Sequence, residues 1–162
     1  MFELVNEKKQ ELVDHEKYYE GIDEFVIVFD RDSYQESSEY LEFISISESD
    51  NLLAVTSPCF ELWLILHKED SVEDYILEYE TEILANHKVS NQHTYTSKLF
   101  SDLFQMNPKS NLDFEVFKNS IGIALLQEQK ICRNIHEFTE RIGSNIGSLI
   151  ELFRSDPRQV FL

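Results

Sequence analysis

Short apolar runs alternate with amphipathic stretches along the chain up to residue 67. Residues 25–29 and 51–56 are nearly continuous apolar runs of strand length. Apolar side chains recur at helical spacing in three further segments, at residues 2–18, 33–44 and 58–67. Strands that alternate with helices are typical of α/β folds, in which right-handed crossovers join parallel strands. The pattern therefore predicts an α/β core in which residues 25–29 form a fully buried strand.

The remainder of the chain shows mainly helical spacing. Helices are predicted over four segments, at residues 69–82, 97–105, 113–142 and about 144–153. Gly143 suits the end of the longest helix, because glycine readily adopts the left-handed conformation that follows many helices. The polar residues 86–95 predict a loop. We therefore expect residues 1–68 to form the α/β core and residues 69–162 to form a helical extension packed on it, in one globular unit.

The charge of the chain is strongly negative. Its 162 residues include 14 Lys and Arg against 31 Asp and Glu, which gives a net charge of −17. Residues 127–162 are balanced, so the excess lies in residues 1–126. Proteins that bind nucleic acid normally present a cationic surface to the phosphates. Contact with nucleic acid is therefore expected only with metal ions or a basic partner, unless the charge is simply a solvated surface.

Two carboxylates follow the first predicted strand, at Asp30 and Asp32. In an extended chain these positions point the same way, so the two groups can converge beyond the strand. At 4 Å and an effective dielectric of 20 they would repel each other by roughly 4 kcal/mol. A bound proton, Arg31 or a divalent cation would relieve this repulsion. Alternatively, Asp32 is the N-cap of the helix predicted over residues 33–44.

A second polar cluster follows the strand predicted over residues 51–56. Ser57 is a natural N-cap, and Pro58 suits the first position of the helix over residues 58–67. Glu61 then lies in the first turn, near the carboxyl edge of the sheet, where open parallel sheets bind their ligands. Alternatively, Glu61 only stabilises the positive end of the helix dipole.

Histidine and cysteine add further candidates. His67 shares a helix face with Phe60 and Trp63, and is either a site residue or a packed histidine at the helix end. Cys59 is either a thiol activated at a helix start or a small buried residue. Because Cys59 and Cys132 are too few for a disulfide framework, we expect reduced thiols and a cytoplasmic protein. No apolar run reaches the roughly 18 residues of a membrane span.

The Asp-Arg-Asp end of the first strand and the Ser-Pro-Cys-Phe-Glu-Leu-Trp string behind it resemble the RloB-like family. Members of this family are associated with bacterial abortive infection and restriction, and their core is similar to the Toprim domain of topoisomerases, primases and OLD-type nucleases. The resemblance implies a Toprim-like parallel sheet flanked by helices, with a mainly helical C-terminal half. It also implies a phage-defence nuclease in which Asp30 and Asp32 hold Mg²⁺ or Mn²⁺. Glu61 and His67 are the other candidate catalytic residues, and an ATPase of the RloA or OLD type is the implied partner.

The Toprim pattern has an earlier strand that ends in a glutamate, and this leaves two interpretations open. Only 24 residues precede the Asp-x-Asp strand, and residues 2–15 show helical spacing. Either the sequence is a fragment of a longer nuclease, or it is a catalytically inactive acidic module that regulates or docks on an ATPase. A sheet without its first strand has an exposed edge, which predicts pairing with a second chain as a homo-oligomer.

Overall fold

The computed structural model describes residues 2–15, 19 and 23–155 of the chain. The helices and strands are, in order, α1 (Phe2–Asp14), β1 (Val26–Asp30), α2 (Ser37–Ser47), β2 (Leu52–Ser57), α3 (Phe60–Ile65), α4 (Glu80–Ala85), α5 (Tyr95–Phe104), α6 (Phe114–Glu128), β3 (Gly143–Ser144) and α7 (Ile146–Ser155). Shorter helical turns lie at Arg31–Ser33, Val72–Ile76 and Ile135–Glu137. The predicted α/β class is confirmed. The ends of two predictions, residues 16–18 of the first helix and residues 156–162 of the extension, lie outside the described residues.

The sheet has three strands in the order β1, β2, β3. β1 and β2 are parallel, with Val26 opposite Leu52 and Asp30 opposite Thr56. β3 runs antiparallel to β2 on its other side, with Ser144 opposite Thr56. The parallel pair was predicted, but the expectation of a wholly parallel sheet is wrong, because the chain returns after α6 and adds a short antiparallel strand.

β1 is covered on one face only, so the prediction of a fully buried strand is wrong. Ile27 and Phe29 are buried, whereas Val28 between them is 64% exposed. Side chains alternate between the two faces of a strand, and only the face of Ile27 and Phe29 packs on α2 and on Phe138. The continuous apolar run at residues 25–29 therefore predicted more burial than β1 has. β2, in the centre of the sheet, is buried from Leu53 to Ser57.

Two apolar clusters build the core. One joins the covered face of β1 and β2 to α2, with Phe29 and Phe43 in an edge-to-face contact at 5.1 Å between ring centroids. The other unites α3, α5 and α6 around buried residues such as Leu62 and Phe100. Because α3 follows β2 after only two residues, it fixes the helical cluster against the carboxyl edge of the sheet.

The long helix predicted over residues 113–142 is wrong, since α6 ends at Glu128. The side chain of Glu128 is 1% exposed. It accepts hydrogen bonds from Ser144 Oγ at 2.6 Å and from the Gly147 backbone N–H at 2.9 Å, at the start of α7. These hydrogen bonds hold the end of α6 against β3 and the start of α7. Gly143 does not end a helix, because it lies in β3, where a Cβ would overlap the Phe138 ring.

Helix starts differ from the predictions in two further places. Ser57 is not an N-cap, because its hydroxyl donates to the Phe138 carbonyl at 2.9 Å and α3 begins only at Phe60, after a cis Ser57–Pro58 bond. Asp32 does not cap α2, which begins at Ser37. The helix predicted over residues 69–82 is divided into a turn of π-helix at Val72–Ile76 and α4. No helix among the described residues is long and apolar enough to cross a membrane.

Candidate functional site

Asp30 is the last residue of β1, and its carboxylate is held at the carboxyl edge of the sheet. Thr56, its partner across the parallel pair, donates from Oγ1 to Asp30 Oδ1 at 2.5 Å. The backbone N–H of Phe60, the first residue of α3, also donates to this carboxylate. Thus both strands and the following helix position one half-buried side chain.

Asp32 lies two residues further on, in the turn after β1. Its backbone N–H donates to the Pro58 carbonyl at 3.0 Å, which joins this turn to the one after β2. Its Oδ2 accepts a hydrogen bond at 3.0 Å from Nδ2 of Asn86, the residue that ends α4. Asn86 has a left-handed backbone, with φ of 42°, and its Oδ1 accepts from the Thr96 backbone N–H at 3.1 Å. The loop after α4 therefore orients Asp32.

Glu61 completes a group of three carboxylates. It lies in the first turn of α3 and is half-buried. Its negative charge acts on both Asp30 and Asp32. The turns after β1 and β2 therefore bring together three of the four predicted site residues. We call Asp30, Asp32 and Glu61 the carboxylate cluster.

Burial and neighbouring carboxylates disfavour the ionised forms of Asp30 and Asp32. Loss of water raises the pKa of Asp30 to about 6, opposed by the Thr56 hydrogen bond and reinforced by the charges of Asp32 and Glu61. Loss of water likewise raises the pKa of Asp32, although the Asn86 hydrogen bond and the charge of Arg31 act in the opposite direction. The cluster thus concentrates negative charge that is incompletely compensated.

Cys59 lies beside the cluster but is not an activated thiol. Burial raises its pKa well above the usual value, and the neighbouring Glu61 adds to this effect. Its sulfur lies 3.5 Å from Asn86 Nδ2. The interpretation of Cys59 as a buried residue is therefore confirmed, and the alternative of a lowered thiol pKa is wrong.

A sequence model of RloB-like proteins matches residues 2–153. The chain belongs to the RloB-like family. Searches of curated proteins and of solved structures gave no match. The family match covers the Asp-x-Asp turn and the start of α3, so the segments that carried the resemblance lie within it.

The fourth predicted site residue of this RloB-like chain, His67, is not part of the carboxylate cluster. It lies beyond the far end of α3, 4% exposed, between the rings of Trp63 and Phe117. Its Nδ1 is 3.0 Å from the Trp63 carbonyl oxygen, and burial lowers its pKa. The structure therefore places His67 as a packed, neutral histidine at a different site.

The carboxylate cluster has some of the ligands that a divalent cation needs. Within the described residues, no three His, Cys, Asp or Glu side chains are arranged to hold a metal ion. Mg²⁺ often uses only one or two protein carboxylates, however, and keeps water and phosphate oxygens as its other ligands. Asp30 and Asp32 have the oxygen chemistry of such a pair. A cation between them would offset the burial, and the repulsion from neighbouring carboxylates, that raise their pKa values.

Sequence reasoning missed Thr56 and Asn86. Thr56 carried a usable signal, since it ends the strand predicted next to the one that ends in Asp30. Asn86 carried a weaker one: asparagine is among the few residues that adopt the left-handed conformation at a helix end, and it begins the segment predicted as a loop. Its contact with Asp32 spans 54 positions and follows only from the tertiary fold.

Proposed function

We propose that this RloB-like chain is a metal-dependent nuclease subunit that cleaves phosphodiester bonds in nucleic acid. One observation carries the proposal: Asp30, Asp32 and Glu61 converge at the carboxyl edge of the parallel strand pair, where the pKa of Asp30 is raised to about 6. Parallel sheets bind ligands at this edge. Buried like charges are costly for folding and are characteristic of functional sites.

Each residue of the site has a role in the proposed reaction. Asp30 and Asp32 would hold Mg²⁺ or Mn²⁺, which supplies polarisation of the phosphodiester and of a bound water. Thr56 and the Phe60 N–H keep Asp30 in place, and Asn86 does the same for Asp32. Glu61 is the remaining carboxylate, and it accepts the proton that the attacking water loses as its oxygen bonds to phosphorus. The bond from phosphorus to the leaving ester oxygen breaks in the same step, and that oxygen takes a proton from solvent.

The setting of this activity belongs to the same proposal. Family membership supports a role in phage defence, with an ATPase of the RloA or OLD type as partner in the cytoplasm. The net charge of −17 supports a need for such a partner, because the chain's own surface repels phosphates. A basic partner surface would supply the attraction that this chain lacks.

The proposal is tested by cleavage of single- and double-stranded DNA and RNA, with the purified chain alone and with a candidate ATPase. We expect cleavage with Mn²⁺ or Mg²⁺ that chelator abolishes. Asp30→Asn and Asp32→Asn should lower the rate by at least about a hundredfold, because each removes a charged metal ligand. The matched control Asp50→Asn removes an exposed carboxylate at the end of α2 and should leave the rate unchanged. Equal cleavage in chelator would refute the proposal.

The acidity of the chain favours one alternative, an inactive Toprim-like module that docks on a basic surface of an ATPase. Its docking would weaken with salt, since exposed charges are screened at high ionic strength. The same variants distinguish the two functions. An ATPase that binds wild type, Asp30→Asn and Asp32→Asn equally, with no cleavage under any metal condition, would support the docking module.

A further inference from the structure

A cavity of about 500 Å³ opens between α3 and α6, next to the carboxylate cluster but separate from it. Aromatic side chains supply much of its wall, from Phe60, Trp63, Phe114 and Phe117. Phe114 is 70% exposed at the mouth, although it is a large apolar residue. Phe60 contributes to both the carboxylate cluster and the cavity. Its backbone N–H contacts Asp30, and its side chain lines the cavity.

His67 gives this apolar wall an uncharged polar group with a directional hydrogen bond. A carbonyl oxygen only accepts hydrogen bonds, so the 3.0 Å contact with the Trp63 carbonyl fixes the proton on Nδ1 of His67. Burial lowers the pKa of the ring and keeps it neutral. His67 lines the cavity, and a ring protonated on Nδ1 has an unprotonated Nε2 that can accept a hydrogen bond. A planar heterocycle with an N–H or amino group satisfies it, whereas an aliphatic chain does not.

The charges at the cavity are opposite to those of the chain as a whole. Its charged lining residues are Lys118 and Arg154, both cationic, in a chain that carries 31 acidic residues. Lys118 lies 3.7 Å from Glu115, in a pair that is more than half exposed and hence weak. Among the described residues, Arg154 has no ion-pair partner. Two cations can neutralise one phosphate group.

We propose that this cavity binds a free mononucleotide, with the base among the aromatic side chains and the phosphate at Lys118 and Arg154. Aromatic rings stack on any nucleobase, and the His67 acceptor adds a directional contact. The net charge of −17 favours a mononucleotide over a strand, because each further phosphate would meet the acidic surface without a cation of its own. The inference does not depend on metal binding at the carboxylate cluster.

The fluorescence of Trp63, the single tryptophan of the chain, provides the test. The full chain is titrated in EDTA with AMP, GMP, CMP and UMP, and calorimetry repeats each titration. The four corresponding nucleosides, octanoate and a short oligo(dT) are the comparison ligands. We expect saturable binding of at least one mononucleotide, at least about tenfold weaker binding of its nucleoside, and still weaker binding of octanoate and the oligonucleotide.

Variants tie this binding to the cavity. Arg154→Gln should weaken mononucleotide binding by at least about tenfold, and Phe114→Ala by about fivefold or more, because they remove a charge-assisted and a stacking contact. Both side chains are largely exposed, so the fold is expected to persist. Lys98→Gln removes an exposed positive charge on α5 that does not belong to the cavity lining. It is the matched control and should bind as wild type does.

Three outcomes would overturn the proposal. They are the absence of both a fluorescence change and heat with every mononucleotide, equal binding by Arg154→Gln and wild type, and tighter binding of octanoate or the oligonucleotide than of any mononucleotide. Because EDTA is present throughout, none of these outcomes bears on the nuclease proposal. Conversely, a loss of divalent-dependent cleavage in Asp30→Asn leaves the mononucleotide result unaffected.

Discussion

The fold holds the side chain of Asp30 in a place where its ionised form is disfavoured. The hydrogen bond from Thr56 and the N–H of Phe60 favour its ionised form, but loss of water outweighs them and raises its pKa to about 6 from an ordinary value of 3.8. The folded chain therefore holds the proton more tightly than the unfolded chain. Ionisation of Asp30 consequently costs stability, and a residue retained at such a cost is a functional candidate.

This cost predicts a pH-dependent effect of Asp30→Asn. The stabilisation from protonated Asp30 is fully present below about pH 4 and is lost as the pH rises through about 6. The amide is neutral throughout, so we expect the variant to be more stable than wild type by about 2 kcal/mol near neutral pH and nearly equal to it near pH 4. Urea denaturation across this range measures the difference. A variant less stable than wild type at neutral pH would contradict the account.

The sequence predicted the carboxylate cluster but not its supporting contacts. Asp30, Asp32 and Glu61 follow strands that are neighbours in a parallel pair, so strand pattern alone places them at one edge. The contact of Asn86 with Asp32 arises because α4 ends beside that edge, which no local pattern encodes. His67 was placed correctly on the face of Trp63, but that face lines the apolar cavity and not the cluster.

For the helices and strands, hydrophobic periodicity predicted their positions better than the residues at which they end. Strands β1 and β2 lie within one residue of their predicted positions. The prediction of one long helix was wrong. The apolar stripe continues past Glu128, but the buried carboxylate of Glu128 accepts hydrogen bonds at the start of α7. The buried partners Ser144 and Gly147 are distant in sequence, so no local pattern predicts that the helix ends at Glu128. Burial also raises the pKa of Glu128.

Gly143 and Gly122 give a matched pair of glycine substitutions. A Cβ on Gly143 would overlap the Phe138 ring and the Cys132 carbonyl oxygen, so Gly143→Ala should cost about 2 kcal/mol of unfolding free energy. Gly122 lies exposed in α6 with no atom within 4 Å of a Cβ, so Gly122→Ala should stabilise the chain by about 0.5–1 kcal/mol. Urea denaturation of both variants tests the short strand β3 against the predicted helix end. A neutral Gly143→Ala would contradict the strand.

For the molecule as a whole, charge and site chemistry point in different directions. The carboxylate cluster has the oxygen chemistry of a metal site for phosphodiester cleavage, yet residues 1–126 carry the entire net charge of −17. Coulombic repulsion extends over about 8–10 Å at physiological salt, so it acts on any nucleic acid that approaches the cluster. In the proposed function, divalent cations at the cluster and a basic partner would supply the compensating charge.

This balance predicts that the chain alone binds nucleic acid only when divalent cations are present. In EDTA at physiological salt we expect no measurable association with labelled single- or double-stranded DNA or RNA, because a chain with a net charge of −17 repels the phosphates. Mn²⁺ should produce weak binding in wild type and less in Asp30→Asn. Fluorescence anisotropy measures both. Tight binding in EDTA would contradict this prediction.

Calorimetric titration with Mn²⁺ and Mg²⁺ determines whether Asp30 and Asp32 bind a divalent cation, as we propose. We expect one saturable site in wild type that is lost in the Asp30→Asn/Asp32→Asn double variant and kept in the control Asp50→Asn. Binding should also weaken in Asn86→Gly, which keeps the left-handed backbone but frees Asp32. Absence of saturable binding in wild type, or equal binding in the double variant, would contradict the account.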